Sequence, residues 1–487
     1  VSDTNVSESG TRAASPGADP GPVVVAHGAV LGSAGLFTVL LGAALPLVDF
    51  FIVNVALPDM GRDLGAGEAT LELVVAGYGV AYAVLLVLGG RIGDLFGRRA
   101  LFLVGMAAFG LTSLACGLAP TAGVLVGARV AQGAAAAFML PQVLATIQST
   151  TAGARRAKAM SLYGATAGLS MVAGQILGGV LVSADVAGLG WRAIFLVNVP
   201  VAAVGLLCAV RSVPETRSAA PAPVDLPGTA LLAVGLVTLL LPLTEGRAAG
   251  WPLWTWVLLA LFPCAAAAFL AVERRADRAG RTPLVPPSLF RIVSVRRGLL
   301  ILVPFSIGFG GFMFVVAVAL QRGLRMGPVE AGLSLTPAAV AFFFGSLAGP
   351  RLVRRFGSAV VTAGALLQAL GLGVVVVTVH AGWPELGVLG LAPGMVLTGL
   401  GQSFQLPVVM RIVLSEIPAE RAGVGGGVMT TTQQAALALG VATLGTLFLS
   451  LAPSAGMGTA LVTTLLVQIG AVLLTAGLSA RLPRALV

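Results

Sequence analysis

Apolar runs of about twenty residues, each closed by charge, proline or glycine, follow one another from residue 33 to residue 480. A helix of that length crosses the hydrocarbon of a bilayer while satisfying its own backbone hydrogen bonds, so each run predicts a transmembrane helix. The runs fall near 33–57, 70–90, 100–118, 121–147, 159–182, 191–210, 226–244, 252–272, 297–320, 328–349, 358–380, 385–409, 422–449 and 458–480, fourteen in all. The expected fold class is therefore an all-α integral membrane protein.

Composition agrees. The 487 residues are 57% hydrophobic and 10% charged, with a mean hydropathy of +0.99, whereas soluble domains carry roughly 25% charged residues. The net charge of +10 sits in short clusters between apolar runs, without the aromatic-rich basic surface that nucleic acid requires. With the N-terminus inside, 23 of the 29 basic residues fall in cytoplasmic segments, five in outer loops and Arg129 within a span. Short cytoplasmic loops are enriched in Arg and Lys, so both termini are expected in the cytoplasm. Residues 1–31, rich in Ser, Gly, Ala and Pro and without a basic stretch leading into a short cleavable core, read as a disordered cytoplasmic tail. Cys116, Cys208 and Cys264 lie in apolar runs without metal-ligand spacing, and only His27 and His380 are present, so no metal site is expected.

Long membrane chains are often built from repeated halves. "GPRLVRRFG" (349–357) echoes "GGRIGDLFG" (89–97) at an offset of 260 residues, and "TGLGQSFQLP" (398–407) echoes "QGAAAAFMLP" (132–141) at an offset of 266. Two parallel six-span bundles with two further spans between them account for both. The division is then an N-terminal six-helix bundle (32–212), two additional helices (213–272), a basic cytoplasmic linker (273–295) and a C-terminal six-helix bundle with a short tail (296–487). The linker carries seven arginines over 273–297 and suits the anionic inner leaflet.

These segments carry a family resemblance. The stretch "GGRIGDLFGRR" resembles the loop signature of the major facilitator superfamily at Gly90, Ile92, Asp94, Gly97, Arg98 and Arg99. "LVDFFIVNVALP" (47–58), "RVAQGAAAAFMLP" (129–141), "AGQILGGVL" (173–181) and "WRAIFLVNVP" (191–200) resemble, in order, the first-, fourth-, fifth- and sixth-span motifs of its fourteen-span drug:proton antiporters. Gln175 stands where the fifth-span antiporter motif usually has proline. The resemblance implies a cytoplasmic latch of Asp94 and Arg98 against the second half when the protein opens outward, at the start of span 13 near Glu420 to Gly425, with Glu416 or Glu420 within reach of Arg98. It also implies that the fourth-span arginine takes part in proton coupling.

A charge at the bilayer centre costs about 2.5–3.5 kcal/mol even on lenient scales, which makes Asp49 and Arg129 functional candidates. Each lies about eight residues from the outer end of its span, hence about 12 Å deep at about 1.5 Å per residue. Equal depth permits an ion pair, either static or one in which Asp49 carries the proton. Glu72 is a second titratable candidate. Uncharged polar and aromatic side chains within spans, namely Asn54, Tyr78, Gln132, Gln142, Gln175, Phe312, Phe314, Gln402, Gln405, Gln433 and Gln434, are candidates for a substrate cavity. Gly168, Gly174, Gly178 and Gly179 would let helix backbones pack closely.

The resulting expectation is a proton-coupled exporter of hydrophobic or amphipathic drugs or antibiotics, multi-pass in a bacterial cytoplasmic membrane and monomeric. Its partners would be the substrate, protons and anionic lipid, not nucleic acid. No cofactor is expected: GxxxxGK[ST] is absent, and Lys158 follows "GARRA". A symporter or uniporter of the same fold importing a metabolite is the alternative, and a membrane-embedded transferase a remote one.

Overall fold

The computed structural model describes residues 31–217, 225–246, 249–279, 281, 283–417 and 422–482. Of the expected tail at 1–31, residues 1–30 lie outside the described residues and Leu31 is buried; Glu420, Arg421 and the side chains of Asn54, Glu72 and Gln175 also lie outside them. Fourteen helices among the described residues are long and apolar enough to span a membrane. They are α1 (Ser33–Leu64), α2 (Glu68–Phe96), α3 (Arg98–Gly117), α4 (Ala122–Thr150), α5 (Gly153–Ala184) and α6 (Gly190–Ser212), then α7 (Leu226–Glu245) and α8 (Leu253–Arg278). The second half comprises α9 (Val293–Gly323), α10 (Pro328–Phe356), α11 (Ala359–Gly382), α12 (Val388–Ser415), α13 (Gly425–Ala455) and α14 (Met457–Ala480). Every span expected from hydropathy falls on one of them.

The junctions follow local chemistry. Thr121 caps α4 by accepting the Val124 amide in the tight turn after α3. Gly97 and Gly357 end α2 and α10 with positive φ (109° and 59°), a conformation that disfavours any residue with a Cβ. These two glycines are the matched positions of the sequence echo. The second echo has a packing counterpart. A Cβ on Gly133 of α4 would strike the Tyr78 carbonyl of α2, and a Cβ on Gly399 of α12 would strike the Ala338 carbonyl of α10. Both pairs repeat at the offsets read from the sequence, so α2/α4 and α10/α12 are one close helix crossing built twice.

Helices α1–α6 pack as one bundle and α9–α14 as another. Helix α7 leans on both α2 and α13, while α8 packs mainly on α7 and leaves Leu253, Trp256 and Leu261 exposed. Between the bundles, α5 lies along α10. Gly179 abuts Val329 at the outer end of the pair and Gly168 abuts the Phe342 ring near its middle. Gly174 and Gly178 instead admit α1, facing Val48, Phe51, Ile52 and Val55. The four glycines thus divide between packing within the first bundle and contact across the bundles.

The linker is held from both sides. Arg91, 4% exposed, donates from Nη2 to the carbonyls of Pro283 (2.5 Å) and Leu284 (3.0 Å), and the Glu273 carboxylate accepts the Val285 amide at 2.7 Å. Arg91 thus has a role beyond setting topology. Arg91→Ala is expected to lower stability by about 2 kcal/mol, the scale of a charge-assisted hydrogen bond. It should also expose the linker arginines to trypsin; thermal unfolding and limited proteolysis of the membrane-embedded protein check this.

Candidate functional site

Asp49 of α1 and Arg129 of α4 form an ion pair in the middle of the first bundle, both 0% exposed. Burying two charges costs several kcal/mol per ion, and the arrangement persists only if the remaining polar atoms find partners. Here they do. Asp49 Oδ2 accepts from Arg129 Nη1, and Oδ1 accepts from Gln132 Nε2 (3.0 Å) and Asn198 Nδ2 (2.8 Å). Gln132 returns its Oε1 to Arg129 Nη1 at 2.7 Å, and Arg129 Nε donates to the Val74 carbonyl at 3.1 Å. Ser113 Oγ accepts from both Gln132 Nε2 (3.1 Å) and Asn198 Nδ2 (3.0 Å) and donates to the Phe195 carbonyl. The guanidinium lies over the Tyr78 ring at 4.2 Å and faces Phe195 at 5.6 Å, so its remaining Nη2, which has no hydrogen-bond partner, meets aromatic faces.

The network draws on five helices. Asn198 and Ser113 escaped the sequence reading; an Asn inside the apolar run "IFLVNVPVAAVGLL" of α6 was the available signal. The second half has no counterpart: the position 266 residues after Arg129 is Met395, fully buried, and the match to Gln132 is Thr398. The titratable pair is a property of one half only.

At the outer surface, the "WR" of the sixth-span motif anchors α1. Trp191 Nε1 (3.0 Å) and the Arg192 guanidinium both donate to Asp63 Oδ2, and these donors hold its carboxyl below the usual carboxylate range.

A second site lies between the bundles. A cavity of about 160 Å3 is walled by Phe51, Tyr82 and Tyr163 from the first half and Phe305, Phe309 and Phe342 from the second. It continues past Ala157 and Met160 of α5, Pro350 and Val353 of α10 and Arg411 of α12, toward the arginine-rich face that charge asymmetry assigns to the cytoplasm. Drug-sized sites measure about 300–1,000 Å3, so a drug-sized guest requires the bundles to part further. Gln402, Gln433 and Gln434 line the cavity. Others named from the sequence do not. Tyr78 and Gln132 serve the ion pair. Gln142 donates to the carbonyls of Gly89 (2.9 Å) and Phe138 (3.1 Å), joining α4 to α2. Gln405 donates to Gln368 Oε1 at 2.7 Å, joining α12 to α11. Phe312 is in the core of the second bundle, and Phe314 packs against Gly445. Amides are the side chains that join helices where water is absent, so a glutamine within a span is as readily helix glue as cavity lining.

Arg98 pairs with Asp94 within its own half (Nη2–Oδ1 2.9 Å) and reaches the Ala145 carbonyl at 3.4 Å. Glu416 accepts the Ser294 amide at the start of α9 (2.9 Å), because that unpaired N–H lies nearer than the guanidinium of the other half. Glu420 lies outside the described residues. Asp94 and Gly90 nevertheless face Gly426 and Gly427 of α13 across a cavity of about 30 Å3. Arg99, half-buried, donates to the Val210 carbonyl. Asp94→Ala frees Arg98 from its partner and is expected to loosen this contact, raising labelling of a cysteine placed at Gly427 by a cytoplasmic maleimide severalfold.

Residues 39–441 match the Major Facilitator Superfamily. The chain belongs to that superfamily. It is 36% identical over 85% of its length, and 72% of the relative's, to a probable actinorhodin transporter of Streptomyces coelicolor. It is 34% identical over 88%, and 79% of the relative, to the tetracenomycin C resistance and export protein of Streptomyces glaucescens. A multidrug resistance protein of Mycobacterium tuberculosis is 33% identical over 83% of the chain and 74% of its own length. Among solved structures, the human organic anion transporter TETRAN superposes with a TM-score of 0.66 at 18% identity, over 92% of this chain and 99% of that one. A peptide-bound transporter of the POT family gives 0.65 at 14%, over 90% and 95%. As a major facilitator with fourteen helices among the described residues long and apolar enough to cross a membrane, the protein is a multi-pass membrane transporter rather than an enzyme.

Proposed function

We propose that this major facilitator is a proton-driven exporter of hydrophobic or amphipathic drugs or antibiotics in a bacterial cytoplasmic membrane. It acts as a monomer without a cofactor, its basic loops resting on anionic lipid, and the two bundles expose the central cavity to each side in turn. The observation that carries the reading is the sealed Asp49–Arg129 pair next to, but not in, the cavity. Tyr78 covers Arg129 and stacks on Tyr82 (6.3 Å between centroids), and Tyr82 walls the cavity.

A proton taken by Asp49 cancels the attraction that holds the Arg129 guanidinium, leaving the cation with the Val74 and Gln132 oxygens and two aromatic faces. Movement of the guanidinium is transmitted through Tyr78 to Tyr82, and a guest pressing on Tyr82 works the same chain in reverse. Proton and substrate thus compete through one aromatic pair without sharing a site. The names of the relatives, transporters and resistance proteins for antibiotics, support export over import.

Everted membrane vesicles with an imposed acid interior test the reading. Gradient-dependent accumulation of a fluorescent planar aromatic compound, lost on adding an uncoupler, is the expected result. Accumulation that follows the opposite gradient would favour import.

A further inference from the structure

We propose that the cavity between the bundles selects planar aromatic anions over lipophilic cations, with Arg411 as the selectivity-determining charge. The direction in which such a guest moves rests on the export reading; the selectivity does not.

Three aromatic rings come from each half. Phe305 and Phe309 present a stacked pair, 6.2 Å between centroids and 18° between planes, and Tyr82 presents a ring backed by Tyr78. Offset stacking favours a flat, conjugated guest, and a guest touching rings of both bundles senses their separation.

The polar groups are incomplete without a guest. Gln402 and Ser346, 2% and 1% exposed, are among the residues that line the cavity, and Gln402 Nε2 and Ser346 Oγ have no hydrogen-bond partner. Buried polar groups are nearly always paired, so two orphan atoms on residues that line one cavity are candidate partners for a carbonyl or phenolate oxygen. The two come from α12 and α10, on the same side as Arg411.

The charge pattern sets the sign. Arg411 is the one charged side chain among the described residues lining the cavity, and none of them is Asp or Glu. Asp49, the nearby acid, is enclosed by Arg129, Gln132 and Asn198 and cannot serve as counter-ion to a cationic guest. The helices that frame the cytoplasmic end carry further exposed cations, Arg155, Arg156 and Lys158 on α5 and Arg351, Arg354 and Arg355 on α10. A single-signed rim draws the opposite charge inward and repels its own. Desolvation strengthens both effects inside the cavity.

The test is binding of three compounds on one ring frame to the purified full-length protein in nanodiscs: anthraquinone-2-sulfonate, 2-methylanthraquinone, and anthraquinone bearing a 2-trimethylammoniomethyl group. The sulfonate is expected to bind at least about tenfold more tightly than the ammonium compound. Arg411→Gln should weaken the sulfonate about tenfold and leave the neutral compound unchanged, while Arg411→Lys should retain most of the preference. Equal or tighter binding of the ammonium compound overturns the proposal, as does a sulfonate affinity indifferent to Arg411→Gln in protein whose thermal unfolding is unchanged. If Arg411→Gln does not fold, the wild-type ranking decides. Correct ranking without gradient-driven movement in vesicles would remove the export reading and leave the selectivity standing; gradient-driven movement with the cation preferred would do the reverse.

Discussion

Asp49→Asn is expected to abolish gradient-driven accumulation in everted vesicles, to about a hundredth of wild type or less, while exchange of labelled for unlabelled substrate without a gradient continues. The amide keeps the shape of the carboxylate and its contacts with Gln132 and Asn198, but it carries no proton to release. It also leaves Arg129 as an unpaired buried cation. Breaking a buried pair by removing one partner costs about 3–5 kcal/mol, so the variant should unfold at a clearly lower temperature. The double variant Asp49→Asn/Arg129→Gln, in which neither charge remains, should recover much of that stability and none of the driven transport. If the double variant regained driven transport, the pair would be structural only, and Glu72 would be the next acid to test.

The second large effect is expected at Gly179. Its missing Cβ lets α5 approach α10 so closely that an added carbon would lie 2.7 Å from Val329 Cγ2 and 3.1 Å from its Cα and N. Because the nearest atoms include backbone, a rotamer change cannot relieve the clash. Gly179→Leu should hold the outer ends of α5 and α10 apart, so that the outer side of the cavity never closes. Transport should fall about tenfold to a hundredfold. A cysteine introduced at Val329 should gain reactivity toward an impermeant maleimide added from outside, with little change in thermal unfolding, since the separated faces meet water or lipid headgroups. Gly174→Leu provides the contrast: it opposes the Val48 carbonyl and Phe51 within the first bundle, and should reduce stability without raising outer accessibility.

Much of this protein is legible in its sequence. Fourteen spans could be counted because each must clear the same hydrocarbon thickness, and arginine placement assigns their direction because the cytoplasmic loops hold the positive charge. The repeat offsets of 260 and 266 located the paired helix crossings, since Gly133 and Gly399 must both lack a Cβ for α4 and α12 to reach α2 and α10. Equal depth in the sequence permitted the Asp49–Arg129 pair, and the packing of α1 against α4 makes it.

What tertiary structure decided is which face of each helix looks inward. In a soluble protein the apolar stripe of a helix points to the core; in a membrane span, lipid and protein neighbours are equally apolar, and the pattern loses that information. Hence Gln142 and Gln405 turned out to join helices, Phe312 to fill a core, and Asn198 and Ser113 to complete the clamp on Asp49. The same blindness hid the ring-lined cavity, whose six aromatics come from α1, α2, α5, α9 and α10 and meet only when the bundles face each other. Arg411 lay just past the expected end of its span, yet α12 continues to Ser415 and carries it to the cavity rim. The sequence by itself determined the number, direction and repeat of the helices, because the bilayer imposes length and charge asymmetry on each segment separately. Which side chains meet was decided by rotation of the helices against one another, a property of the packed bundle that no single segment contains.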